Sequence, residues 1–382
     1  MSTLLDDYAN DLDPALIVSF RDHVNSSDHF VCKYFRAKEG KNLWNAICSA
    51  MDWISVSVRY INNYPEMSDE IDVKAMQIYS LISSIDILNE SIQLLHRVIF
   101  DDSKAKLWPF KDVQSIFKNK VSDFQNFDDD KYFKQIRAVF GAHPTDLRGG
   151  NQLRMFASWP FEHSLKGEDF AVSIYSSAPA QDDIHFGIYI EEILAYASER
   201  YQYLLQLSEK ITNILNDYCS LLANQMIPDS SDIHDEIEIL TEESEKRFDS
   251  DYYHGLLWSL KKLFSAKITE SHLLDEENSF KNALLPMLQA IRSNLQRMEI
   301  VDLDCDDLLP ARLPDRSLSY ELGKFFSMVS SERYDPLFEM YINNFNKYSE
   351  NRYNFNKLET LDITYLKVKM MIYSKKKRQT NL

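Results

Sequence analysis

The chain has 382 residues, of which 45% are hydrophobic and 13% aromatic, enough apolar surface to exclude disorder as its main state. Only 8 glycines are present, against about 7% in a usual chain, which excludes turn-rich sandwiches and propellers and disfavours glycine-dependent nucleotide folds. A net charge of -17 opposes broad attraction to nucleic acid or anionic membranes, so any such site must be local.

Residues 1–40 show little helical periodicity and read as an N-terminal arm. From Lys41, Leu43, Ile47, Met51, Ile54, Val58 and Ile61 recur at helical spacing until Asn62, Asn63 and Pro65 end the run. A second helix starts near Ser68 and carries Ile78, Leu81, Ile82, Ile85, Leu88, Ile92, Leu95 and Ile99 on one stripe; the two predict an antiparallel pair. Asp128, Asp129 and Asp130 suit the N-cap and first turn of a short helix with Phe133, Ile136, Val139 and Phe140 on its apolar face. It stops at His143, because Pro144 pushes the residue before it out of helical conformation.

Residues 144–168 read as a loop. Strict alternation of Phe170, Val172, Ile174 and then Ile184, Phe186, Ile188 predicts a β-hairpin near 170–188, inserted into the helical domain. One long helix is expected over 189–225, with Leu205 on its apolar stripe, and the Met226–Pro228 segment marks a boundary. Residues 226–366 form a C-terminal helical region with helices near 252–267, 280–300, 317–330 and 336–348, Pro286 either kinking or starting its helix. Segment 358–373 fits a helix, with a strand left open, and 367–382 reads as a basic tail, solvated and frayed in the plainer reading, or else touching nucleic acid, an acidic partner or the chain's own acidic body. The fold class expected is therefore mainly α: a bundle over 41–225 with a small hairpin, followed by a second helical region.

Cys32, Cys48, Cys219 and Cys305 form no C-x-x-C pair, so neither a zinc site nor a disulfide framework is indicated, and a reducing cytoplasm fits best. No run of 18 uncharged residues exists, and acids stand at the N-terminus where a secretion signal carries basic residues; no membrane contact is expected. No metal site or cofactor is expected either: no histidine or acid set has the spacing of a helical metal site, and Gly149-Gly150 lacks a phosphate-loop context.

The motif that carries chemistry is IRAVFGAHP, residues 136–144. Arg137 borders the apolar face and needs a partner or a cleft. Six residues separate it from His143, about 120° on an unbroken helix, but Gly141 and Pro144 end the helix and let the imidazole swing back. A histidine titrating near neutrality can move a proton, and an arginine can clamp a phosphate and stabilise transition-state charge. On RNA the neighbouring 2′-hydroxyl supplies the nucleophile. The plainer alternative is a helix C-cap, with His143 on the last carbonyls and Arg137 in a salt bridge. Between residues 131 and 154, Lys131, Lys134, Arg137, Arg148 and Arg154 face the single acid Asp146, a local basic excess just after three aspartates.

At these residues the chain resembles the HEPN superfamily of helical proteins, whose signature is an arginine followed four to six residues later by a histidine at the end of a helix. The resemblance covers the layout of residues 41 to about 225. It implies a metal-independent endoribonuclease of a bacterial defence or toxin-like system, with Arg137 and His143 as the catalytic pair and Lys134, Arg148 and Arg154 on the substrate RNA. It also implies a homodimer with the motif helices near the twofold axis. Active members usually carry a polar residue directly after the arginine, where this chain has Ala138. The alternative is a non-catalytic helical module that binds a protein partner.

Overall fold

The computed structural model describes residues 12–142, 147–148, 154–158, 167–178, 182–247, 253–299, 301, 303, 308–314 and 316–380. Among them are twelve α-helices and one four-stranded antiparallel sheet, so the fold is mainly α with a small sheet inserted. The chain divides into two compact units, Met1–Leu215 and Asn216–Leu382.

In the first unit, the stretch expected as an arm is instead a 23-residue helix, α1 (Pro14–Arg36). Asp13 caps it by accepting from the Ala15 amide, and Pro14 opens it where a missing N–H costs nothing. Its buried stripe is Ile17, Phe20, Val24, Val31 and Phe35. The polar run Asn25–Asp28 interrupts that stripe in sequence and hides its period.

Helices α2 (Trp44–Asn62) and α3 (Ile71–Ile99) pair as expected. Their direction is antiparallel: the Tyr60 hydroxyl meets Ser80, while Trp53 shares a groove with Ile87 and Glu90. Every predicted stripe residue from Ile47 to Ile61 and from Ile78 to Ile99 is buried. Burying one such aliphatic side chain contributes about 1.5–3 kcal/mol, and removing any of them from the α2–α3 seam leaves a cavity in the centre of the unit.

Helix α4 (Asp129–Arg137) begins at Asp128, whose carboxylate accepts from the Lys131 amide at 2.7 Å. The next two aspartates do more than favour a helix dipole. Asp129 is fully buried, accepts from the amides of Ser115, Ile116 and Phe117, and pairs with Lys120, so it ties down the preceding loop. Asp130 accepts from the Trp108 indole and the Tyr196 hydroxyl and pairs with Arg200 at 3.0 Å.

After α4 comes a turn of π-helix, Ala138–Ala142. Strands β1 (Leu147–Arg148), β2 (Arg154–Ala157), β3 (Phe170–Ser176) and β4 (Ile184–Ile188) follow in that spatial order. The hairpin is β3–β4, with Phe170, Val172 and Ile174 opposite Ile188, Phe186 and Ile184. Residues 144–168, expected as loop, contribute the two short strands β1 and β2; with two and four residues, they are too short to show an alternating pattern. Phe186 stacks with Tyr132 and meets Phe140 edge-on, which packs the sheet on α4 and the π turn. Gly187 is required in β4, since a Cβ there would come within 2.7 Å of the Glu168 side chain.

The single helix expected over 189–225 is two: α5 (Ile190–Gln202) and α6 (Leu204–Ala223), broken at Tyr203. The break rotates Leu205 off the stripe, and it is exposed. The division between the two units falls inside α6 rather than at Met226–Pro228.

The second unit contains α7 (Ile233–Arg247), α8 (His254–Ser265), α9 (Leu274–Arg297), α10 (Ser319–Ser331), α11 (Phe338–Tyr348) and α12 (Leu361–Thr380). Pro286 lies inside α9. Helix α12 is a core element and corrects the basic-tail reading: Tyr365 through Ile372 are all buried. Within it Lys367 is fully enclosed and donates to Glu270 and Glu359, while Lys369 caps the Leu309 and Pro310 carbonyls.

Candidate functional site

Arg137 is the last residue of α4, held at the surface because Phe133 and Ile136 beside it are buried and fix the helix roll. Its Nε lies 2.7 Å from Oδ2 of Asp86 on α3, and its side chain remains 42% exposed. The Asp86 side chain is 10% exposed. Burial raises the Asp86 carboxyl to about 6; Arg137 and Lys134 pull it down, and Glu90 pushes it further up. The acid is therefore poised near neutrality while it orients the guanidinium.

Asp86 also lines a groove of about 500 Å³ between α2 and α3. Trp53 and Ala50 come from α2, Asn89, Glu90 and Arg97 from α3, and Lys134 from α4. Trp53 presents its ring to solvent at 52% exposure. Asn89 is buried, and its Oδ1 has no hydrogen-bond partner among the described residues.

Of the residues expected at the site, Lys134 and Arg137 converge on Asp86. Arg148 and Arg154 are register partners across β1 and β2. His143 lies outside the described residues. The three aspartates upstream of the motif are each engaged, Asp128 with Lys131, Asp129 with Lys120 and Asp130 with Arg200, so one of the basic side chains of α4 is already paired with an acid of its own N-terminus.

Asp86, Asn89 and Trp53 were not singled out from the sequence. A signal existed for Asn89: it sits four residues after Ile85 and three before Ile92, a stripe position where a polar residue needs a reason. Trp53 carried none, because a lone tryptophan beside an apolar stripe reads as core.

Two other buried polar groups are structural. His96 bridges the Tyr203 hydroxyl and Asp102, and Asp102 also accepts from the Lys106 and Leu107 amides, closing the turn after α3. Arg200 is sandwiched between the Phe110 and Tyr196 rings, 4.3 and 4.0 Å from their centroids. Among the described residues no group of three or more His, Cys, Asp or Glu side chains could hold a metal ion, and no helix is long and apolar enough to cross a membrane. Comparison with protein-family models, curated proteins and solved structures finds no match to this chain.

Proposed function

We propose that this chain is a metal-independent endoribonuclease of HEPN type in a defence or toxin-like setting, acting as a homodimer through its N-terminal unit. The observation that carries the reading is the guanidinium of Arg137, half-exposed at the end of the motif helix and oriented by an acid that lines an open groove. In that pair the acid is buried while the cation faces outward, where it can meet a phosphate.

In this mechanism the 2′-hydroxyl of RNA attacks the adjacent phosphorus, and His143 takes the hydroxyl proton as general base. Arg137 stabilises the charge on the non-bridging oxygens of the pentacovalent transition state. The P–O5′ bond breaks with its electron pair going to the 5′-oxygen, which takes a proton from water and leaves a 2′,3′-cyclic phosphate. Lys134 adds positive charge beside the groove, and Arg148 and Arg154 hold phosphates further along the strand.

A second reading, a non-catalytic module, is favoured by one residue: Ala138 puts no polar atom next to Arg137 in the motif. Incubation of mixed RNA with purified protein in EDTA separates the two. Wild type should generate 2′,3′-cyclic phosphate ends and His143→Ala should not; equal decay in both samples sinks the ribonuclease reading.

A further inference from the structure

We propose that the α2–α3 groove is a base-reading subsite that takes a guanine next to the phosphate held at Arg137, an inference that rests on the ribonuclease reading for the polymer to which that base belongs. Three features of the groove point to an aromatic, donor-rich ligand. Trp53 offers a half-exposed ring on one wall, and single-stranded nucleic acids stack their bases on such rings. The opposite wall is α3, where Asp86, Asn89 and Glu90 present oxygen acceptors within one helical turn. Arg97 and Lys134 line the same groove and supply positive charge for phosphate.

Asn89 supplies the independent observation. Its amide oxygen is enclosed without a hydrogen-bond partner among the described residues, an arrangement that costs stability in the ligand-free protein. The terminal torsion of asparagine is broad, so turning the amide toward the groove exchanges an unmade bond for one to a ligand N–H. The acceptor set then selects among bases. Guanine has two adjacent donors on its Watson–Crick edge, N1–H and N2–H, which match a carboxylate such as Glu90 with both oxygens. Adenine and cytosine each offer one exocyclic amine beside a ring acceptor that a carboxylate would repel, and uracil offers a single N–H.

The test measures binding rather than cleavage. Isothermal titration calorimetry of the full chain with guanosine 5′-monophosphate and adenosine 5′-monophosphate should give at least about tenfold tighter binding of the guanine nucleotide. Trp53→Ala should weaken it by about tenfold or more, and Glu90→Gln, at an exposed position that leaves folding intact, should erase the preference over adenine. Equal affinities in the wild type, or guanine binding that survives Trp53→Ala, overturn the subsite. The two readings fail separately: a protein that cleaves RNA with no guanine preference loses only the subsite, while one that binds guanine through Trp53 yet cleaves nothing loses only the ribonuclease.

Discussion

Arg137 and Asp86 meet at 2.7 Å across the α4–α3 contact, a half-exposed cation on a buried acid whose carboxyl is raised to about 6 by burial. Because Asp86 binds its proton more tightly in the folded chain, its contribution to stability is full below the unfolded value near 3.8 and is lost as pH rises through about 6. Asp86→Asn should therefore melt higher than wild type at pH 7.5, and the two should converge near pH 4. A gain of about 1 kcal/mol appears as roughly 2–4 °C in a unit of this size, read by circular dichroism melts across that range. A lower melting temperature for the variant at pH 7.5 would show that attraction to Arg137 outweighs desolvation.

The arginine itself should resist conservative replacement. Lysine keeps the charge but loses the planar fork that grips two phosphate oxygens. Cleavage by Arg137→Lys should fall by about 10²–10³-fold, nearly as far as Arg137→Ala, while at pH 7.5 the lysine variant melts close to wild type and the alanine variant, which leaves Asp86 without its cation, melts lower. Rates from a fluorogenic oligoribonucleotide check this; full activity of the lysine variant would reduce Arg137 to a charge provider.

His96 works in the opposite pH direction. Burial lowers its pKa, against the pull of the Asp102 hydrogen bond. The folded state therefore sheds the histidine proton first, and stability present above about 6.5 declines as pH falls below it. In an Asp86→Asn background, which removes the opposing trend, melting temperature should drop between pH 7.5 and 5.5. Adding His96→Gln should flatten that slope whatever it does to stability at pH 7.5.

Much of the helical frame was readable because its residues obey one period. The α2 and α3 stripes and the Phe133, Ile136, Val139, Phe140 face are buried as spaced, and the hairpin's three inward pairs stand opposite one another. Readings failed where a local event broke the period: the polar run inside α1 and the turn at Tyr203 that splits α5 from α6. The basic run in α12 misled for a different reason. Lys367 is solvated in sequence logic but neutralised by Glu270 and Glu359, which lie far from it along the chain or across a turn. The site was legible only through its motif; Asp86 joins it through tertiary contact alone.

In the second unit, Arg247 is buried and donates to the carbonyls of Leu222, Gln225 and Leu295 while pairing with Glu243. It satisfies carbonyls at the ends of α6 and α9 that would otherwise be orphaned. Arg247→Ala strands those carbonyls and leaves Glu243 with a weaker partner, at a cost of about 3–5 kcal/mol. Calorimetry should show the unfolding transition of Asn216–Leu382 falling by roughly 10 °C with little change in the other unit; an unchanged thermogram would mean that water replaces the guanidinium.

The homodimer is testable at the other end of the α2–α3 pair. Tyr60, Val73 and Met76 are 44, 45 and 65% exposed, and together with Tyr64 and Pro65 they border a shallow cleft of about 460 Å³. Clustered apolar side chains on one face mark a contact surface more often than a solvated one. A second copy suits it, because an isologous contact buries the same strip twice. Net charge works against the assembly, since each chain carries -17; raising the salt concentration screens that repulsion and should strengthen the dimer. Light scattering at micromolar concentration should report about twice 44.8 kDa for wild type. Met76→Glu, at a position exposed enough to leave the fold unharmed, should shift the mass to that of one chain and lower cleavage in parallel. A wild-type mass fixed at 44.8 kDa across concentration and salt would exclude the dimer and leave Arg137 to act in a single-chain site.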